Sequence, residues 1–166
     1  MHLWDPPFCG DIDMLISKAG VWYHEGKPIR RPAMVKLFAS ILKLENDSDY
    51  FLVTPVEKVG IKVEDCPFLI TEMAVSGAGA DQLIEFTTST DERFEVNLDH
   101  SLALICADVG GEPHPTAHVR SGLTGLISRP VFYRLVELAI EREIETNGKA
   151  ETQLGVWSAG QFFALG

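Results

Sequence analysis

Two arginines, Arg31 and Arg129, each open a stretch of helical spacing, and each is followed at once by a proline, Pro32 or Pro130. A helix N-terminus carries partial positive charge and N–H groups without partners. A cation there is unfavourable unless a carboxylate or an anionic ligand lies close. One reading is a pair of anion-recognising arginines, combining the planar guanidinium fork with helix N–H groups. The other is two structural ion pairs, each holding a hairpin to its helix. With 24 Asp and Glu in the chain, the second is favoured. Thr54, Glu57 and Lys58 form another candidate set: Thr54-Pro55-Val56-Glu57-Lys58 follows directly on an apolar run and falls at a strand end or turn. Such positions often bind ligands, although Glu57 and Lys58 also suit an ordinary solvated turn. Tyr133 lies off the apolar stripe of its segment and beside Arg134, which suits a residue lining a cleft. Trp157 joins Trp4, Trp22 and Phe163 among the aromatics whose first expectation is packing.

Other constellations carry less. His114 and His118 have HxxxH spacing, which holds zinc when both histidines share a helix face, but Pro113 and Pro115 break any helix there. Asp99, His100 and Ser101 are adjacent, and adjacent residues do not build a catalytic triad. No glycine-flanked nucleophile elbow is present. Ser76-Gly77-Ala78-Gly79-Ala80 lacks GxGxxG spacing and reads as a hairpin loop. The three cysteines, Cys9, Cys66 and Cys106, form no CxxC pair and read as buried or incidental thiols. The expectation is therefore no metal and no cofactor.

The elements that must position these residues centre on a repeat. Ile29-Arg30-Arg31-Pro32-Ala33-Met34-Val35-Lys36-Leu37 aligns with Ile127-Ser128-Arg129-Pro130-Val131-Phe132-Tyr133-Arg134-Leu135 at a constant offset of 98 positions. Each copy follows a hairpin-like stretch, and proline suits the first turn of the helix it opens. Met34, Leu37, Phe38, Ile41 and Leu42 continue the first helix toward a polar turn at 46–49. Phe132, Leu135, Val136, Ala139, Ile140 and Ile144 continue the second toward Asn147-Gly148, a stop signal. Paired strands are expected at 50–56 and 59–63, and a meander at 68–75, 82–88, 93–97 and 102–107. Residues 110–115 read as a loop, followed by strands at 118–121 and 123–127. The apolar tail from Leu154 to Leu165 should return to the body. The expected fold is α+β: a duplicated core of antiparallel strands, each copy followed by a helix. The expected domains are an N-terminal half over 1–66 and a C-terminal half over 67–166, with the boundary at Asp65-Cys66-Pro67.

Composition sets the outer limits. The 166 residues suffice for one well-buried domain or two small abutting ones. A net charge of −10 and a pI near 4.9 would repel a phosphate backbone, and the longest basic cluster is only Lys27 to Arg31. Nucleic acid is thereby disfavoured. The N-terminus lacks the order of a signal peptide, and no apolar run reaches the ~20 residues of a membrane span. A cytoplasmic location is the default.

Several stretches together resemble a family of bacterial proteins known as domain of unknown function 1285. They are Ile12-Asp13-Met14, Gly20-Val21-Trp22, Gly26-Lys27-Pro28-Ile29, Leu52-Val53-Thr54-Pro55-Val56-Glu57-Lys58, Val63-Glu64-Asp65 with Pro67-Phe68, Arg129 to Val136, and Val156-Trp157-Ser158. The ordered set covers nearly the whole chain. The resemblance implies a duplicated α/β core whose second half is superficially like a pleckstrin-homology barrel. It also implies a ligand or partner site between the halves and a link to signal transduction. It transfers no catalytic residue.

The sequence thus reads as a non-enzymatic protein that binds a small ligand or a protein partner between its halves, as an accessory component of signalling. Candidate ligand-binding residues are Arg31, Thr54, Glu57, Lys58, Arg129, Tyr133 and Trp157. The rival is a hydrolase-like enzyme using Asp99, His100, Asp108 and His114. A third reading is an interaction module that forms a homodimer through the apolar tail.

Overall fold

In a computed structural model the described residues are 4–106 and 113–165. The first part of the chain comprises β1 (Phe8–Ile16), β2 (Trp22–His24), β3 (Lys27–Pro28), α1 (Pro32–Ser40), β4 (Leu42–Glu45), β5 (Asp49–Val53) and β6 (Lys58–Val63). Then come β7 (Phe68–Ser76), β8 (Leu83–Thr88), β9 (Arg93–Glu95), β10 (Leu102–Cys106), β11 (Pro113–Arg120) and β12 (Leu123–Ile127). The last part is α2 (Arg129–Leu138), β13 (Ile140–Thr146), β14 (Lys149–Ser158) and β15 (Gln161–Ala164).

These strands form two six-stranded sheets, ordered β3-β2-β1-β6-β5-β4 and β10-β11-β12-β7-β8-β9, and a three-stranded sheet β13-β14-β15. Each six-stranded sheet is antiparallel except at one central seam. There β1 runs parallel to β6 and β12 runs parallel to β7. Strict alternation drives the inner strands: Ile84, Phe86 and Thr88 of β8, and Leu123, Gly125 and Ile127 of β12, are buried. One continuous cluster of buried apolar side chains runs from Met14, Ile16 and Trp22 through Ile70, Phe86 and Leu123 to Val156 and Phe163. The two ends of the chain therefore share a core.

The expected α+β duplicated core is not what forms. Strand accounts for 54% and helix for 14%, and the architecture is mostly β with three sheets. The recurrent block does mark a helix start in both places, since α1 and α2 begin there. It does not extend to a repeated fold. The meander after α1 is built into a six-stranded sheet through β6 and β1, whereas the meander after α2 stands as a separate three-stranded sheet. Both helices are also shorter than expected. After Ser40, Leu42 and Leu44 alternate with Lys43 and Glu45 and pair with β5. After Leu138, residues 140–146 pair with β14, and Asn147-Gly148 turns a hairpin. Both residues have left-handed φ, 53° and 75°, which is the backbone of a two-residue hairpin turn. The stretch at 110–115, expected as a loop, contributes Pro113 to Pro115 to β11, in antiparallel pairing with β10.

Candidate functional site

An apolar cavity lies between α1 and one face of the first sheet. Its volume is about 460 Å³. Strand and helix periodicity explain its walls. Ile12 and Met14, two apart on β1, and Met34 and Phe38, four apart on α1, face one another across it. Leu52, Val59, Ile29 and Ile41 complete the apolar lining, and Phe38 is fixed by stacking on Trp22 at 6.2 Å between centroids. The polar rim consists of His24, Thr54 and Glu57.

The rim is ordered by a tight turn. The Thr54 hydroxyl accepts the N–H of Glu57 (3.1 Å) and of Val56 (3.4 Å), and the Thr54 N–H donates to the Glu57 carbonyl at 2.9 Å. Thr54 is thus occupied with its own backbone, while the exposed Glu57 carboxylate is carried by that turn. Lys58 does not join them. Val59 faces the groove, so alternation sends Lys58 to the opposite face of the sheet. There its ammonium meets Glu45 at 2.9 Å and lies 4.6 Å from the Phe51 ring centroid. The hydrogen bond from Lys58, with help from Lys43, holds the Glu45 carboxyl below its usual range.

The remaining candidates are dispersed. Arg31 caps α1, and its carbonyl accepts the N–H groups of Met34 (3.1 Å) and Val35 (3.2 Å). Arg129 is the first residue of α2, a helix that packs on β7 and β14. Both arginine side chains are exposed. Tyr133 is 61% exposed on α2. Trp157 packs edge-on against Phe162 at 5.5 Å, and the Arg142 guanidinium covers both rings. Its carbonyl also accepts from the Gln82 amide at 2.9 Å.

Among the described residues of the hydrolase reading, His114 stands apart from Asp99 and His100. The Asn97 carboxamide oxygen caps the N–H groups of Asp99 and His100, both at 2.9 Å. His100 bonds through Nδ1 to the His118 carbonyl, and His118 donates from Nδ1 to the Asp99 carbonyl while accepting the Gly122 N–H at Nε2. His114 lies four residues along β11 from His118, roughly 13 Å in extended backbone. Asp108 lies outside the described residues.

Two arrangements escaped sequence reasoning. One is Arg120, whose guanidinium donates to the carbonyls of Ala39 and Leu42, pairs with Glu92 at 3.3 Å and lies over the Phe68 ring. This single side chain joins the end of α1 to the second sheet and stands in a cleft between them. The other is a cluster where β6 passes into β7. His114 Nε2 lies 2.7 and 2.9 Å from the two Asp65 carboxylate oxygens. The Cys66 Sγ is 3.7 Å from the nearer of them, Oδ1. Burial pushes the Cys66 thiol up to about 11, against the lowering effect of a hydrogen bond with Thr124. Burial likewise raises the neighbouring Tyr50 phenol, with Cys66 and Asp65 adding to the effect. The adjacency Asp65-Cys66 was the only signal, because His114 is brought in by strand pairing from a distant part of the chain.

Comparison with known proteins places this architecture. No curated protein matches the chain. A DUF1285 family protein from Silicibacter pomeroyi DSS-3 superposes with a TM-score of 0.88 at 46% identity, over 99% of this chain and 85% of that one. A DUF1285 family protein from Shewanella baltica OS155 superposes with a TM-score of 0.58 at 30% identity, over 75% of this chain and 90% of that one. Family models for the "Domain of unknown function (DUF1285), N-terminal domain" and the "Protein of unknown function (DUF1285), C-terminal domain" match residues 1–66 and 67–165. The chain belongs to the DUF1285 family.

Proposed function

We propose that this protein is a binding protein for a small amphipathic molecule, held in the groove between α1 and the first sheet. The observation that carries this reading is the combination of an apolar interior of about 460 Å³ with a polar rim confined to its edge. That volume is within the range of small-molecule sites, which are apolar with a few placed polar groups. The apolar body of the ligand lies against Met14, Phe38, Leu52 and Val59. Its head group meets Glu57, and because Thr54 is engaged by its own turn, that head is a cation or a strong hydrogen-bond donor. Binding is favoured over catalysis because the one hydroxyl in the lining, that of Thr54, is engaged by the backbone of its own turn rather than by a base.

The test is a titration of the full chain with short alkylamines, the matching alkanols and the matching carboxylates. Alkylamines should raise the melting temperature with the concentration dependence of a single site. Glu57→Gln should weaken them by roughly tenfold while leaving the alkanols unchanged, on the scale of one charge-assisted contact. Met34→Trp, at the mouth of the groove, should weaken all of them. Equal binding of carboxylates and amines, or binding indifferent to both substitutions, would remove the groove as the site.

A further inference from the structure

The cluster formed by Asp65, Cys66 and His114 offers three different donor types from two separate parts of the chain. Asp65 and Cys66 lie between β6 and β7, and His114 lies on β11 of the second sheet. One atom from each, a carboxylate oxygen, Sγ and an imidazole nitrogen, lies within 4.8 Å of the others. Zinc bonds of about 2.0–2.3 Å in a tetrahedron separate such donors by roughly 3.3–3.8 Å. The Asp65–Cys66 distance of 3.7 Å already falls there. The Asp65–His114 contact, at 2.7 Å, is shorter and would open slightly as a cation replaced the shared proton.

We propose that Asp65, Cys66 and His114 bind a divalent cation of the zinc class. The donor set decides the class. Thiolate and imidazole favour zinc or cobalt, whereas magnesium and calcium require oxygen ligands. Thiolate and carboxylate together balance the charge of a dication, so the buried sulfur would not stand as an uncompensated anion. The Thr124 hydroxyl, hydrogen-bonded to Cys66, serves as an outer-shell partner that orients the sulfur. Access is asymmetric: Cys66 is buried, while the Asp65 and His114 side chains are each 30% exposed. A cation would therefore keep its fourth position toward solvent, free for water or an exogenous ligand. An aspartate–histidine pair formed for stability alone would not involve the sulfur, and that difference makes the proposal testable.

The experiment uses the tag-free full chain, reduced and stripped of metal by chelator dialysis, titrated with Co²⁺ and with Zn²⁺ against a chromogenic chelator. One equivalent of Co²⁺ should bind, with a near-ultraviolet thiolate-to-cobalt charge-transfer band and the visible bands of a tetrahedral ion. Zn²⁺ should displace it and raise the melting temperature, and Mg²⁺ should do neither. Cys66→Ser, checked by circular dichroism for retained fold, should abolish the charge-transfer band. His114→Gln and Asp65→Asn should each weaken Zn²⁺ at least tenfold, the scale expected of a lost ligand. If Cys66→Ser does not fold, the His114→Gln and Asp65→Asn variants carry the test through loss of the same band. Failure of the wild-type chain to bind one equivalent would overturn the proposal. So would cobalt bound without a sulfur band, or binding unchanged in all three variants.

Discussion

At the scale of single residues, the two described free cysteines are opposites. Cys9 is exposed on β1, whereas Cys66 is buried and its thiol is raised to about 11. A raised folded-state value means that the native state holds the proton more tightly than the unfolded chain. The resulting stability is complete below the unfolded value near 9 and is lost as pH rises through about 11. Urea midpoints of the metal-free protein should therefore fall across that alkaline window, and Cys66→Ala should flatten the decline. In the same protein at neutral pH, peptide-level mass spectrometry after iodoacetamide should find Cys9 alkylated quickly and Cys66 only after denaturation. Equal modification rates would show that the connection between β6 and β7 opens freely. Arg120 shows the other side of residue-scale reasoning. In sequence it is one arginine among many, and only the fold reveals that it joins two backbone carbonyls, a carboxylate and an aromatic face.

At the scale of elements, β14 and β15 meet at an unusually close point. A Cβ on Gly155 would fall 2.3 Å from the Phe163 carbonyl oxygen, which is backbone and cannot swing aside. Gly155→Val should cost about 2–4 kcal/mol, measured by urea unfolding, and should reduce the near-ultraviolet signal of Trp157 and Phe162. The strands were largely legible in the sequence because their alternation is local, as in β8 and β12. The helix ends were not. Leu42 and Ile140 continue a helical stripe as well as they begin a strand, and pairing with β5 and β14 decides the matter. The parallel seams β1·β6 and β7·β12 were illegible for a different reason, since their registers join residues some 50 positions apart. The groove was legible in part. The Thr54–Glu57 turn was recognised from its position after an apolar run, but Met14 and Phe38 reach the same cavity only through the sheet and the helix that covers it.

At the scale of the whole molecule, the continuous core makes a thermodynamic statement. Trp22 is buried in the first sheet and Val156 lies beneath the third, yet both belong to one apolar cluster. The chain should unfold as a unit. Single-tryptophan versions reporting from Trp22 or from Trp157 should give coincident urea midpoints. Two separated transitions would mean that the segments 1–66 and 67–165 are stable independently.

The third sheet carries one more consequence. Among the described residues β13 pairs with β14 alone and has no strand on its other edge, and it presents Glu141, Glu143 and Glu145 along an exposed strand. A bare edge is a template on which a second strand can polymerise. Here any identical edge brought alongside would set acidic rows against one another. Part of the chain's net charge of −10 is thus spent at the place where runaway strand addition would begin.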